Sequence, residues 1–334
     1  MTYNYGSDVT QQPQPKGRID AIDIARGLAL VAMAIYHFTW DLEFFGYVPA
    51  SMTAVGGWKL FARCIASSFL FLVGVSLFLG HAKGIRWSGF LRRLAMVAGA
   101  ALAISVVTYL AVPEGFIFFG ILHQIALASV LGLAFLRLPA VVTLLAAAAV
   151  IAAPHYLRSD FFNDSWWWWT GLSENRPRSN DYVPIFPWFA AVLTGIAAAR
   201  IAERTGIVAK LATLRAPRWT WPLTFGGRHS LAVYLIHQPV LIACIWLFAQ
   251  IFPPTEETRE VRFLQSCEAA CKEQRDTEFC PRYCVCMLDT LERENAIAGV
   301  YAGDRSDELQ DQVEDIAGRC TIATDNAMLE GGSQ

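Results

Sequence analysis

The sequence predicts an all-α protein: a polytopic membrane helical bundle of about seven spans, followed by a small soluble Cys-rich C-terminal tail. Three observations carry that expectation. Hydrophobic residues make up 54% of the 334 and charged residues only 17%, a balance suited to a chain that faces lipid. Apolar runs close to the ~20 residues that a span needs recur along most of the chain. The charge then changes sign: residues 1–254 hold 19 Lys/Arg against 11 Asp/Glu, and residues 255–334 hold 8 against 18.

The first 17 residues are polar and Gln/Pro-rich. They read as a disordered cytoplasmic N-terminus, with no cleavable signal peptide ahead of the first full-length span. The apolar runs fall at roughly 22–44, 60–80, 92–112, 116–136, 138–154, 182–201 and 228–252, the fifth short and Ala-rich. Backbone groups in lipid must be satisfied within their own segment, so these runs are expected as helices. Residues 18–254 form the expected transmembrane domain and 255–334 the acidic tail.

Orientation follows from the Lys/Arg bias of the loops. With the N-terminus in the cytoplasm, twelve cations fall inside, among them Arg86, Arg92, Arg93 and Arg204. Four fall outside: Lys59, Arg158, Arg176 and Arg178. An odd number of spans then places the tail in the periplasm, for a multi-pass protein of a bacterial inner membrane. The acidity of the tail argues against nucleic acid or anionic lipid headgroups as its partners.

Six of the eight cysteines lie in the tail, at 267, 271, 280, 284, 286 and 320. Cys267 and Cys271, and likewise Cys280 and Cys284, are spaced four apart and share a helix face. Two helices folded back on each other would bring the first pair to the second for two disulfides, which persist in an oxidising compartment. The alternative is a zinc site made by the same four thiols.

Ionisable groups inside a span cost ~2.5–3.5 kcal/mol on insertion scales and mark function by default. The first run carries three of them, Arg26, His37 and Asp41. Eleven residues, about three helical turns and ~16 Å, separate Arg26 from His37, and Asp41 follows four residues later, so one face carries all three. The bland readings are a snorkelling Arg26, a buried His37 bonded to a neighbour, and Asp41 paired with Arg63 of the second run. Other runs offer partners in His123 and His237. Asp23, beside Arg26, and Gln124, beside His123, join Asp181 and His237 as candidate substrate or cofactor contacts. No close His/Asp/Glu ligand pair supports a metal, and no metal is expected. The loop 154–183 contains Trp166 to Trp169 in a row, which reads as an interfacial aromatic belt or as stacking faces for a sugar. No P-loop, Rossmann or H-E-x-x-H motif is present.

Arg26, ten residues and then His37 resembles the Arg-x10-His pattern of the membrane acyltransferase-3 proteins. The blocks RIDAIDIARGLALVAMAIYHF, FLFLVGVSL, GILHQIALAS, DYVPIFPWFA and GRHSLAVYLIHQPVL resemble more closely the bacterial relatives of heparan-α-glucosaminide N-acetyltransferase, over about residues 18–252. The resemblance implies transfer of an acetyl group from cytoplasmic acetyl-CoA, as co-substrate, to an acceptor beyond the membrane. Under it Arg26 would meet the CoA phosphates, His37 would act as general base and Asp41 would steady the imidazole. The lysosomal enzymes carry Asn at the position matching His37, with their proposed catalytic His in the following lumenal segment. No His occurs between 38 and 80 here, so the role falls to His37 or to another base such as His123. A periplasmic amino sugar or other envelope glycan is the expected acceptor, and membrane lipid and acetyl-CoA the other partners, with self-association into a homo-oligomer left open. The competing classes are a membrane transporter or channel, since polar groups in spans also mark ion pathways, and a structural or sensory protein working through its tail. No paired broken helices or repeated halves favour a carrier.

Overall fold

The computed structural model describes residues 19–175, 177–254, 258–304 and 306–331. The expected disordered segment 1–17 and the outside cation Arg176 lie outside the described residues. Regular structure among the described residues is helical throughout. Five helices are long and apolar enough to cross a membrane: α1 (Asp20–Phe44), α2 (Gly56–His81), α3 (Trp87–Ala111), α6 (Ile185–Arg204) and α9 (Ser230–Ile251). The other two expected spans form shorter apolar helices. In α4 (Ile121–Gly132) the first turn starts only at Ile121, whose N–H donates to the Asp181 carboxylate, so 116–120 stay outside the helix. Helix α5 (Ala140–Tyr156) begins directly after Pro139, which cannot donate to a preceding turn.

The chain divides into two compact units, each made of two stretches. The first combines the chain up to Val31 with Ile65–Leu235. Its core joins Leu70, Leu77 and Phe78 of α2, Phe90 of α3, Ile121 and Ala128 of α4, and Ala147 of α5 to Phe189, Val192, Leu193 and Ile196 of α6. Helix α6 is the axis: half of its apolar window is buried, against 11% for α3. Small residues allow the close approach that membrane helices use. A Cβ on Gly74 would lie 2.0 Å from the Val192 carbonyl oxygen, and one on Gly195 2.1 Å from that of Phe71. Leu102, Val107 and Leu110 of α3, with Val141 and Leu145 of α5, point away from the core, as lipid-facing side chains should. Two short helices, α7 (Ile207–Thr213) and α8 (Trp221–Arg228), complete this unit.

The second unit combines Ala32–Cys64 with Ile236–Gln334. Its tail folds into α10 (Arg259–Cys271), α11 (Phe279–Arg293), α12 (Ile297–Ala302) and α13 (Asp307–Gly331). The Thr258 hydroxyl caps α10 by accepting from the Val261 N–H. Disulfides Cys267–Cys284 and Cys271–Cys280 join α10 to α11, linking the first cysteine pair to the second as the spacing suggests. A third, Cys286–Cys320, ties α11 to α13 and was not expected. Met287, Leu291, Ala296 and Ile316 form the small core beside it. The tail also grips the segment between α1 and α2. Glu273 accepts from the Gly56 N–H and pairs with Lys59, and Gln265 accepts from the Ala50 N–H. Within that segment the Glu43 carboxylate takes the N–H groups of Ser51 and Thr53, fixing the turn after α1.

Candidate functional site

In the first unit the polar start of α1 forms an ionic cluster. Asp23, 1% exposed, accepts from Arg26 Nη1 at 3.0 Å and from Arg228 Nε at 3.3 Å. Arg228 Nη2 also meets Asp20 at 3.0 Å, and Arg26 donates to the Ser76 hydroxyl of α2. A buried carboxylate needs such partners, since losing one of them leaves an uncompensated charge. Among the described residues the cluster holds two Asp and two Arg, and the Arg228 side chain is the more open of the two cations at 44% exposure against 16% for Arg26. The cluster depends on α8 lying against α1 at backbone contact. A Cβ on Gly227 would sit 1.8 Å from the Asp23 carbonyl oxygen. Asp23 and Arg26, both candidate substrate or cofactor contacts, pair with each other one helical turn apart. Arg228 and Ser76 were missed, the only local signal for Arg228 being the Gly226–Gly227 pair before it.

In the second unit the C-terminal half of α1 meets α9. The rings of His37 and His237 stand edge to face with centroids 5.0 Å apart, and Tyr36 packs against His37. Gln238 Nε2 donates to Asp41 Oδ1 at 2.6 Å, and Asp41 is fully buried. His37 Nδ1, Asp41 Oδ2 and Gln238 Oε1 are buried without a hydrogen-bond partner. Burying such atoms unsatisfied costs ~1–3 kcal/mol each, so three in one place call for an explanation beyond packing. No hydrogen bond joins His37 to Asp41. The ion pair between Asp41 and Arg63 does not form either: Gln238 occupies Asp41, and Arg63 stands near Glu273, where it helps to hold that carboxylate below its usual range after Lys59 and the Gly56 N–H. Gln238 carried no sequence signal beyond its place next to His237.

The remaining candidates gather at the start of α4, in the first unit. His123 Nδ1 accepts from the Gly120 N–H at 3.2 Å, and Nε2 lies 3.2 Å from the Ser105 hydroxyl, which donates to the Ile117 carbonyl. The network assigns the neutral imidazole with its proton on Nε2. Both nitrogens are engaged in these contacts. Asp181 Oδ2 accepts from the Ile121 N–H at 2.8 Å, and burial pushes its carboxyl up to about 6 against that bond. Gln124 is fully buried with both amide atoms unpartnered. Among the described residues no three His, Cys, Asp or Glu side chains are grouped to hold a metal.

The tryptophan row forms a 3-10 helix, Ser165–Thr170. Trp168 turns inward, donating to the Asn163 carbonyl and packing on Phe118, while Trp166 is 85% exposed. Residues 18–239 match the family model described as heparan-alpha-glucosaminide N-acetyltransferase, catalytic. No curated protein and no solved structure matches the chain.

Proposed function

Because the chain belongs to the heparan-alpha-glucosaminide N-acetyltransferase catalytic family, we propose that it moves an acetyl group from cytoplasmic acetyl-CoA to a periplasmic amino sugar or another envelope glycan. The observation that carries the reading is the second-unit cluster, where His37, Asp41 and Gln238 keep buried polar atoms without partners inside apolar helices. A site that must meet a polar substrate has a reason to leave such atoms open.

In this mechanism His37 is the general base. It takes the proton from the acceptor amine or hydroxyl as the lone pair of that atom attacks the thioester carbonyl carbon. The carbon–sulfur bond then breaks, and the leaving CoA sulfur receives the proton from the imidazolium. Asp41, held by Gln238, offsets the imidazolium charge without bonding to the ring, a positioning role. The Asp23 cluster supplies the anion contact, with Arg26 anchored and the more open Arg228 beside it, because guanidinium forks suit phosphate. Asp181 and Gln124 take a supporting part at the start of α4, and His237 lines the space beside His37. Twelve inside against four outside cations, five long apolar helices and three tail disulfides support an inner-membrane protein with its N-terminus in the cytoplasm and its tail in the periplasm.

The test is acetyl transfer from labelled acetyl-CoA to glucosamine by detergent-purified protein. His37→Ala should lower the transfer rate by ~10²–10⁴-fold and leave acetyl-CoA binding near wild type. His123→Ala should act on stability more than on turnover. A His37→Ala protein that keeps its turnover while His123→Ala loses it would assign the base to α4 instead.

A further inference from the structure

The tail holds a cavity that the acetyl-transfer reading does not use. Its volume is about 710 Å³, within the range of small-molecule sites. The lining comes from α10 (Arg259, Arg262, Phe263, Ser266), from Ala50 of the α1–α2 segment, and from α12 with Val300 and Tyr301. Phe263, Ala50 and Val300 make an apolar floor, and Arg259 lies over the Tyr301 ring at 5.9 Å.

Two features set this cavity apart from ordinary tail surface. The tail has 18 acidic residues for 8 basic ones, and Lys272, Arg275, Arg282 and Arg319 all sit in ion pairs. Arg259 forms no ion pair among the described residues, although the tail carries more carboxylates than cations. The Tyr301 hydroxyl is buried with no hydrogen-bond partner. Burial first, then the nearby Glu260 and Glu292, push its pKa up, against the pull of Arg259, so it stays protonated and can donate. Glu260 itself is engaged by Thr258 at the start of α10.

We propose that this cavity binds a sugar unit carrying an anionic group, a carboxylate or a phosphate. The Arg259 guanidinium would take the anion through a charge-assisted fork. The Phe263 ring and the apolar floor would take the C–H face of the sugar. Tyr301 would donate to a ring hydroxyl or to the anion. All of its lining except Ala50 lies outside the matched residues 18–239, and its occupancy does not depend on acetyl transfer.

Saturation-transfer NMR on the full chain in detergent, with glucuronate, glucose 6-phosphate, glucose and inorganic phosphate as separate probes, tests it. We expect saturable binding of glucuronate, glucose 6-phosphate or both, with the pattern between them naming the anion. Arg259→Ala should weaken it about tenfold or more, and Tyr301→Phe by a smaller factor. Wild-type unfolding temperatures and far-UV circular dichroism of the variants show that a loss is not unfolding. If the variants fail to fold, competition by glucose against either anionic sugar on the wild type still decides. Equal binding of glucose, equal competition by inorganic phosphate, unchanged affinity in folded variants, or no binding of either anionic sugar each overturns the proposal.

Discussion

Adding one methyl group at Gly227 should separate α8 from α1, and the neighbouring glycine provides the control. The new Cβ would stand 1.8 Å from the Asp23 carbonyl oxygen, whereas ordinary contact begins near 3.4 Å. Helix α8 must therefore retreat by about 1.6 Å, the difference between those two distances. Arg228 moves with it, and its 3.3 Å contact to Asp23 stretches beyond hydrogen-bond length. Forced overpacking typically costs ~1–3 kcal/mol. The half-exposed Arg228 pair adds only ~0–1 kcal/mol. At Gly226 the nearest atom to a new Cβ is a Leu30 methyl at 4.0 Å, so alanine fits and should gain ~0.5–1 kcal/mol from helix propensity. Thermal unfolding in detergent should place Gly227→Ala below wild type and Gly226→Ala at or above it. Acetyl-CoA affinity should fall only for Gly227→Ala. Equal unfolding temperatures for the two variants would refute the claim that backbone contact at Gly227 builds the cluster.

Two further outcomes follow from the loops that the disulfides close and from the buried carboxyl. Replacing Cys286 and Cys320, 34 residues apart, by serine should cost the tail ~3.8 kcal/mol, against ~2.6 kcal/mol for Cys271 and Cys280, nine apart, if loop closure governs; denaturant titration followed by tail proteolysis reads the order, and the reverse order would show that local strain or residual structure dominates. Asp181 has its folded pKa raised from 3.8 to about 6, so its contribution is present below pH 3.8 and is lost as pH rises through 6. The Asp181→Asn variant keeps an acceptor for the Ile121 N–H, and its unfolding temperature should gain on wild type as pH rises from 4 to 7; parallel curves would mean that the carboxyl is not buried in its charged form.

Hydropathy made the long helices legible because lipid rewards a continuous apolar run whatever its neighbours. Charge reversal and cysteine spacing likewise exposed the tail and its hairpin, since both are local along the chain. The pairings between distant segments stayed hidden. Asp41 finds Gln238 at 197 residues' separation and Asp23 finds Arg228 at 205, and periodicity reports the face of a helix but not what comes to cover it. The bond from the Ile121 N–H to Asp181, 60 residues on, shortened a helix that composition alone would have begun earlier. His123 was legible as a polar group in a span. Its engagement by the Gly120 N–H, three residues back, depends on where the helix starts, which hydropathy does not locate.

The second compact unit is assembled from two stretches separated by the whole of Ile65–Leu235. Ribosomes add roughly 5–20 residues per second, so Ile236 is made some ten to thirty seconds after Cys64. During that interval His37 and Asp41 are in the chain while His237 and Gln238 do not yet exist. The buried cluster can therefore close only late in biosynthesis, and the unsatisfied carboxylate of Asp41 must wait in a partly made protein. Insertion machinery that shelters the first helix until α9 arrives would meet that need, and a chain interrupted before residue 236 would leave those two groups without the half of the cluster that α9 supplies.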